Sequence, residues 1–224
     1  MRAIVAVLLL SGLAGCAADR VEVVETAPAY CPSPPAVPVN AQGVVLPPPV
    51  VTANAPDWES TFAYRLQFSL ASPSKLAGKG AQTAQALAEL EMLGNSFQRS
   101  LRFQTLPAFG QLSMQQGRIA LRQTLGIGPG VADQQLIGAL LDAECALWAG
   151  DRAKARAALA HVASAPDALD LIAPPGADSA PRIPAAVAAA AATAAPAIRA
   201  QGGTGGRFWL SDAPSQAATR RRPA

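Results

Sequence analysis

The sequence predicts an all-α protein, a small bundle of helical hairpins between a proline-rich leading segment and an alanine-, glycine- and proline-rich tail. Three observations carry this. Apolar residues step at helical spacing through the middle of the chain, from Leu87 to Val162. Prolines avoid that stretch: nine of the 20 lie between Pro28 and Pro56, whereas residues 57–172 hold only Pro73, Pro107, Pro129 and Pro166. Lastly, no two neighbouring segments match in strand quality, so a strand formed here would leave its amides without partners.

The first element runs from Trp58 to Leu70. Phe62, Tyr64, Leu66, Phe68 and Leu70 alternate as in a half-buried strand. Trp58, Phe62, Leu66 and Leu70 also fall at four-residue steps, with Asp57 placed to cap and Pro73 beyond the end. Lacking a partner strand, the segment is read as helix. Leu87, Leu90, Leu93, Phe97 and Leu101 mark one face of a long second helix. Leu106, Phe109, Leu112, Ile119, Leu121 and Leu125 mark a third, with Thr105 as N-cap and Pro107 in its first turn. "GIGPG", residues 126–130, stops it. No strand precedes these glycines and no lysine completes a phosphate-binding loop, so they make a turn.

Asp133 then caps a helix carrying Leu136, Ile137, Leu140, Leu141, Leu147 and Trp148. Gly150 closes it, and Asp151 caps a partner with Ala155, Leu159 and Val162. The run "LLDAECALWAGDRAKARAALAHV" resembles a single tetratricopeptide-type helical hairpin over residues 140–166. Ala143 and Ala155 sit where small residues let two helices approach, and Gly150-Asp151 makes the turn. The aromatic positions of that family are missing, and no second copy follows at its period of about 34 residues. The resemblance implies a hairpin at the C-terminal end of the bundle rather than a repeat array.

The clearest motif lies at the start. Arg2 precedes the aliphatic run Ile4 to Leu10, which is too short to span a bilayer and ends in Leu13-Ala14-Gly15-Cys16. These four residues resemble the lipobox of bacterial lipoproteins, and the chain as a whole is similar to envelope lipoproteins of Gram-negative bacteria. The resemblance implies that residues 1–15 are a signal peptide cleaved before Cys16, that Cys16 carries a diacylglycerol thioether, and that its new amine is acylated. Several acyl chains, at about 0.8 kcal/mol per buried methylene, anchor a protein without spanning the membrane. Ala17 stands where aspartate would mark inner-membrane retention in enterobacteria, which implies the periplasmic face of the outer membrane.

Residues 16–56 then read as a lipidated tether, extended where proline fixes φ and removes the amide donor. "VEVVET" and "GVVLPPPVVT" offer an alternative as paired edge strands. Residues 57–172 are the helical domain. Residues 173–224 read as a low-complexity, largely disordered tail with an Ala-rich helix at 185–195. One bulky cluster, "RFWL" at 207–210, docks on the core or contacts a partner, and Arg220 to Arg222 close the chain as a solvated basic end. The whole chain has 18 basic and 15 acidic side chains, a balance that predicts no nucleic-acid partner. The expected partners are the membrane, through the lipid on Cys16, and another envelope protein; no cofactor or metal is expected.

Catalytic chemistry has little support. His161 is the only histidine, so two-histidine metal sites are out and it reads as a helix C-terminal residue. Glu89 with Glu91, and Asp142 with Glu144, are each two residues apart, about 200° on a helix, so neither pair shares a site. Glu144 stands out in another way. With Leu140 at zero, Leu136, Leu147, Ile137 and Trp148 fall between about −40° and 80°, and Glu144 at about 40° lies inside that stripe. A buried carboxylate needs a partner or keeps its proton. Arg118 and Arg122, four apart on the preceding helix, are the candidates for a buried ion pair, with a general acid in a cleft as the competing reading. Cys31 and Cys145 remain as a candidate disulfide in an oxidising compartment, which requires the tether to fold back. The sequence thus points to a non-enzymatic interaction or assembly module, with an envelope hydrolase working at Glu144 as the alternative.

Overall fold

In the computed structural model the described residues are 28–31, 37–48 and 57–203. The leader, Cys16, "VEVVET", "RFWL" and the terminal arginines lie outside them. The described residues form seven helices and no strand; the only extended pairings among them are isolated bridges, Val39 to Val45 and Ile127 to Ala163.

Helix α1, Trp58–Phe68, follows the four-residue spacing: Asp57 accepts from the Ser60 N–H at 3.4 Å, and Trp58, Phe62 and Leu66 are buried. Tyr64 and Phe68, the alternating members, stand half out. Helix α2, Gly80–Arg99, is the centre of the body and is buried almost continuously from Ala81 to Phe97. Its alanines let three helices crowd it: α1, α3 (Ala108–Leu125) and α4 (Asp133–Trp148). Gly126, at φ +67°, ends α3 in the left-handed conformation that only glycine adopts cheaply. The α4 helix turns at Gly150 into α5, Arg152–Ala160, where Asp151 accepts from the Lys154 N–H at 2.8 Å. Ala143 and Ala155 are fully buried in this hairpin, as their size suggested. The "GIGPG" segment is a turn pinned to the chain just beyond α5, since Gly126 O accepts from both the N–H and the hydroxyl of Ser164.

Two caps differ from expectation. Pro107, not Thr105, is the N-cap of α3, and the Thr105 hydroxyl instead accepts from the Gln201 amide at 3.1 Å. Ala132, not Asp133, is the N-cap of α4; Gln135 Oε1 accepts the Ala132 N–H at 3.0 Å, because the Asp133 carboxylate is drawn to two arginines.

Both flanks enter the body further than the sequence implied. After the short α6, Ala168–Ile172, the chain continues into α7, Ala185–Gly203, longer than the expected 185–195 and packed against α1 and α3. Val187, Ala190, Ala191, Ala194 and Ala197 are buried there. The helical body therefore does not stop at residue 172. A Cβ on Gly117 would lie 2.5 Å from that of Ala190, and one on Gly110 would overlap Ala197, so α7 runs antiparallel to α3 along a seam of glycine against alanine. On the other side, residues 37–48 are no extended spacer. Asn40 N–H donates to Val44 O and Leu46 N–H to Pro38 O, closing a turn that buries Val37, Val44 and Val45. Val45 N–H donates to Asn95 on α2 at 2.8 Å, and the Gln134 amide on α4 donates to Val37 O. Val45, within "GVVLPPPVVT", thus bridges its own neighbour Val39.

Candidate functional site

Two buried polar clusters lie on opposite aspects of α2. In the first, Cys31 and Cys145 are joined in a disulfide with a Cα–Cα distance of 5.3 Å, so the leading segment does fold back onto α4. The residue before each cysteine makes a second tie: the Tyr30 hydroxyl donates to Glu144 Oε2 at 2.6 Å. Glu144 is fully buried, where the helical wheel placed it, but its partner is a phenol from the leading segment and not Arg118 or Arg122. Burial pushes its carboxyl up to about 7 against the pull of Tyr30, Arg65 and Trp148. Glu89, on α2, is bonded to Arg65 at 2.7 Å, yet burial, helped by the nearby Glu144 charge, pushes it up to about 8. Burial and the two carboxylates likewise hold the Tyr30 phenol above its ordinary value. Glu144 Oε1 and Trp148 Nε1 are both buried without a partner in hydrogen-bond geometry.

The second cluster took the arginines. Glu91, fully buried, receives Arg118 Nη2 at 2.9 Å and Arg122 Nη2 at 3.1 Å, and both guanidinium groups also reach Asp133 Oδ1, at 2.8 and 2.7 Å. Gln98, the carbonyl of Val131 and the amide of Asn95 complete the donors and acceptors. Two positive and two negative groups cancel, which is how four charges share one interior. Burial alone would raise Asp133; the Arg118 charge, with the Asn95 amide and Arg122, overrides it and holds the carboxyl below the usual range. Gly94 makes room, since a Cβ there would overlap the Arg118 side chain.

Glu89 and Glu91 serve different clusters, while Glu89 and Glu144, one from each sequence pair, approach across the α2–α4 contact. That juxtaposition is absent from any single helical wheel. The hint in the sequence was that acids and Asn95 interrupt a helix apolar on its other sides. Glu144 is fully buried, whereas Glu89 and Arg65 line a cleft of about 400 Å³ with Lys75 and Lys79. His161 is the exposed C-cap of α5. Among the described residues no group of three His, Cys, Asp or Glu is arranged to hold a metal ion, and no helix is long and apolar enough to cross a membrane.

Comparison with protein-family models, curated proteins and solved structures finds no match for this chain.

Proposed function

We propose that the chain is a lipid-anchored envelope protein, held through Cys16 on the periplasmic face of the outer membrane, whose helical body is a non-enzymatic interaction or assembly module. The observation that carries this reading is the Cys31–Cys145 disulfide. Such bonds persist in oxidising compartments, and this one begins 15 residues after the lipobox cysteine, so the segment leaving the lipid is covalently tied to the body. An interaction role is supported by the outer face of α3, where Phe109, Leu112 and Ile119 are each about half exposed and only glutamines and small residues lie between them. Scattered apolar residues are ordinary, but a charge-free stripe on one helix suits a partner. The hydrolase alternative needs Glu144 open to substrate; its full burial favours a structural role.

Metabolic labelling with a clickable fatty acid tests the anchor: the wild-type chain takes label and fractionates with outer membrane, and Cys16→Ser does neither. Label persisting on the serine variant rejects it. A photo-crosslinking residue at 112 is expected to give one discrete envelope adduct, lost in Phe109→Glu; crosslinks no different from those at exposed Asp142 count against an interaction face.

A further inference from the structure

We infer that the outer face of α3 pairs with the same face of a second copy of this chain, in an antiparallel helix-to-helix seam. The inference rests on the interaction role proposed above and names the partner. Phe109, Leu112, Gln116, Ile119 and Gln123 follow one another at alternating steps of three and four, the spacing by which one helix meets another along a seam. All five are exposed. The core is served by a different set, since Gly110, Met114, Gly117, Leu121 and Leu125 are the residues that α3 buries. The helix therefore carries two stripes at helical spacing, one used inside the body and one left open.

Charge selects a second copy as the occupant. From Phe109 to Gln123 every exposed residue of α3 is phenylalanine, leucine, isoleucine or glutamine. The two arginines of the helix are turned inward to Glu91 and Asp133. Beside it, α7 has no charged residue from Ala185 to Ile198, and the exposed residues of that stretch are alanines, too small to hold a second helix off. A two-fold axis sets each charge of a face near its own copy, so a charged face repels itself. This face has none, and a glutamine amide, which donates and accepts, satisfies another glutamine.

The large residues set the alignment. With Phe109 against Ile119 of the second copy, Leu112 falls against its Gln116, and the two-fold repeats both layers. All three apolar side chains of each copy are then covered, and the helix dipoles run head to tail. Phe109 to Gln123 rises about 21 Å, and α3 with α7 is about 20 Å across. That footprint, about 400 Å² on each copy, lies at the low end for specific association, so the pair is a weak one. Anchoring both copies in one membrane would raise their effective concentration; the seam itself needs no lipid.

The test places a photo-crosslinking residue at 112 in the full chain and co-expresses that copy with one bearing a different tag. The discrete adduct should join the two tags. Phe109→Lys in both copies, or Ile119→Glu in both, puts an unpaired charge into the seam and should cut the adduct at least about tenfold. Both positions are half exposed in the single copy, and unchanged melts verify folding. Phe109→Lys in one copy with Ile119→Glu in the other should restore the adduct, because the introduced charges then face each other in one layer while the other layer keeps Phe109 against Ile119. An adduct that joins the tags but is not restored by this exchange overturns the antiparallel seam. An adduct with a different protein overturns self-pairing and leaves the interaction face proposed above standing. A crosslink to the chain's own residues 204–224, or none beyond that seen from Asp142, overturns both.

Discussion

Tyr30 and Glu144 lie 114 positions apart in the chain and 2.6 Å apart in space, and their immediate neighbours Cys31 and Cys145 are covalently joined. The disulfide sets proximity; the hydrogen bond sets which way the leading segment faces and gives the buried Glu144 carboxyl a donor at Oε2.

Tyr30→Phe keeps the ring and removes that donor. We expect a loss of about 1–3 kcal/mol, the cost of leaving a buried polar group unmet, read as a lower urea midpoint with the disulfide intact. Cys31→Ser opens a loop spanning 114 residues and should cost about 2–5 kcal/mol. A Tyr30→Phe midpoint equal to the wild type would mean that Glu144 is hydrated.

Stability should fall as pH rises from about 4.5 to about 8. Both Glu144, at about 7, and Glu89, at about 8, are raised above the ordinary carboxylate value of 4.5. In that window the folded state holds protons that the unfolded state has released, so raising pH favours unfolding. Below the window both states are protonated and above it both are ionised, so the dependence levels off. The double variant Glu89→Gln, Glu144→Gln should flatten the profile in calorimetry across the window; a profile rising with pH in the wild type would contradict the assignment.

Of the two buried acids on opposite aspects of α2, Glu91 should matter more. Glu91→Ala leaves Arg118 and Arg122 sharing only Asp133 and is expected to cost about 3–5 kcal/mol, the penalty for breaking a buried pair. Glu144→Gln, replacing a carboxyl already disposed to carry a proton, should cost under about 1.5 kcal/mol. Urea melts at neutral pH give the order; the reverse order would restore the ion pair first expected of Glu144.

Gly117→Ala places a methyl 2.5 Å from that of Ala190 and 3.1 Å from the Ala186 carbonyl oxygen, which should destabilise by about 1–3 kcal/mol through overpacking. Gly138→Ala, in α4 with nothing within 4 Å, should stabilise by about 0.5–1 kcal/mol. By the same packing, a fragment of residues 57–172 lacks α7 and should melt without cooperativity, whereas 28–203 should melt as one unit.

The large-residue stripes made α1 to α5 legible as helices, but not always their buried faces: Phe109, Leu112 and Ile119 of the α3 stripe stand about half exposed, and Leu101 lies exposed beyond the end of α2. The all-α class and the α4–α5 hairpin came directly from the stripes. Helix α7 was expected at 185–195, but its full length and its packing on the body were missed because alanine contributes little area, and its complement, Gly110 and Gly117, looks in sequence like weakness in α3. The turn at residues 37–48 hid behind prolines that read as spacer, while Val37, Val44 and Val45 were its actual anchors. At the site, burial of Glu144 was readable from one wheel and its partner was not. Tyr30 lies in a segment with no periodicity, and the arginines went to Glu91 because Gly94 opens a path that spacing alone does not reveal.

Helix α7 also dictates the order of assembly. A chain that emerges N-terminus first presents Cys31 long before Cys145, so the cross-link waits for α4, and the seam on α1 and α3 stays uncovered until residues 185–203 have emerged. Maturation is thus completed from the C-terminal end. A product cut short before α7 would carry a closed disulfide and an open flank, and would be the form that quality-control proteases find first.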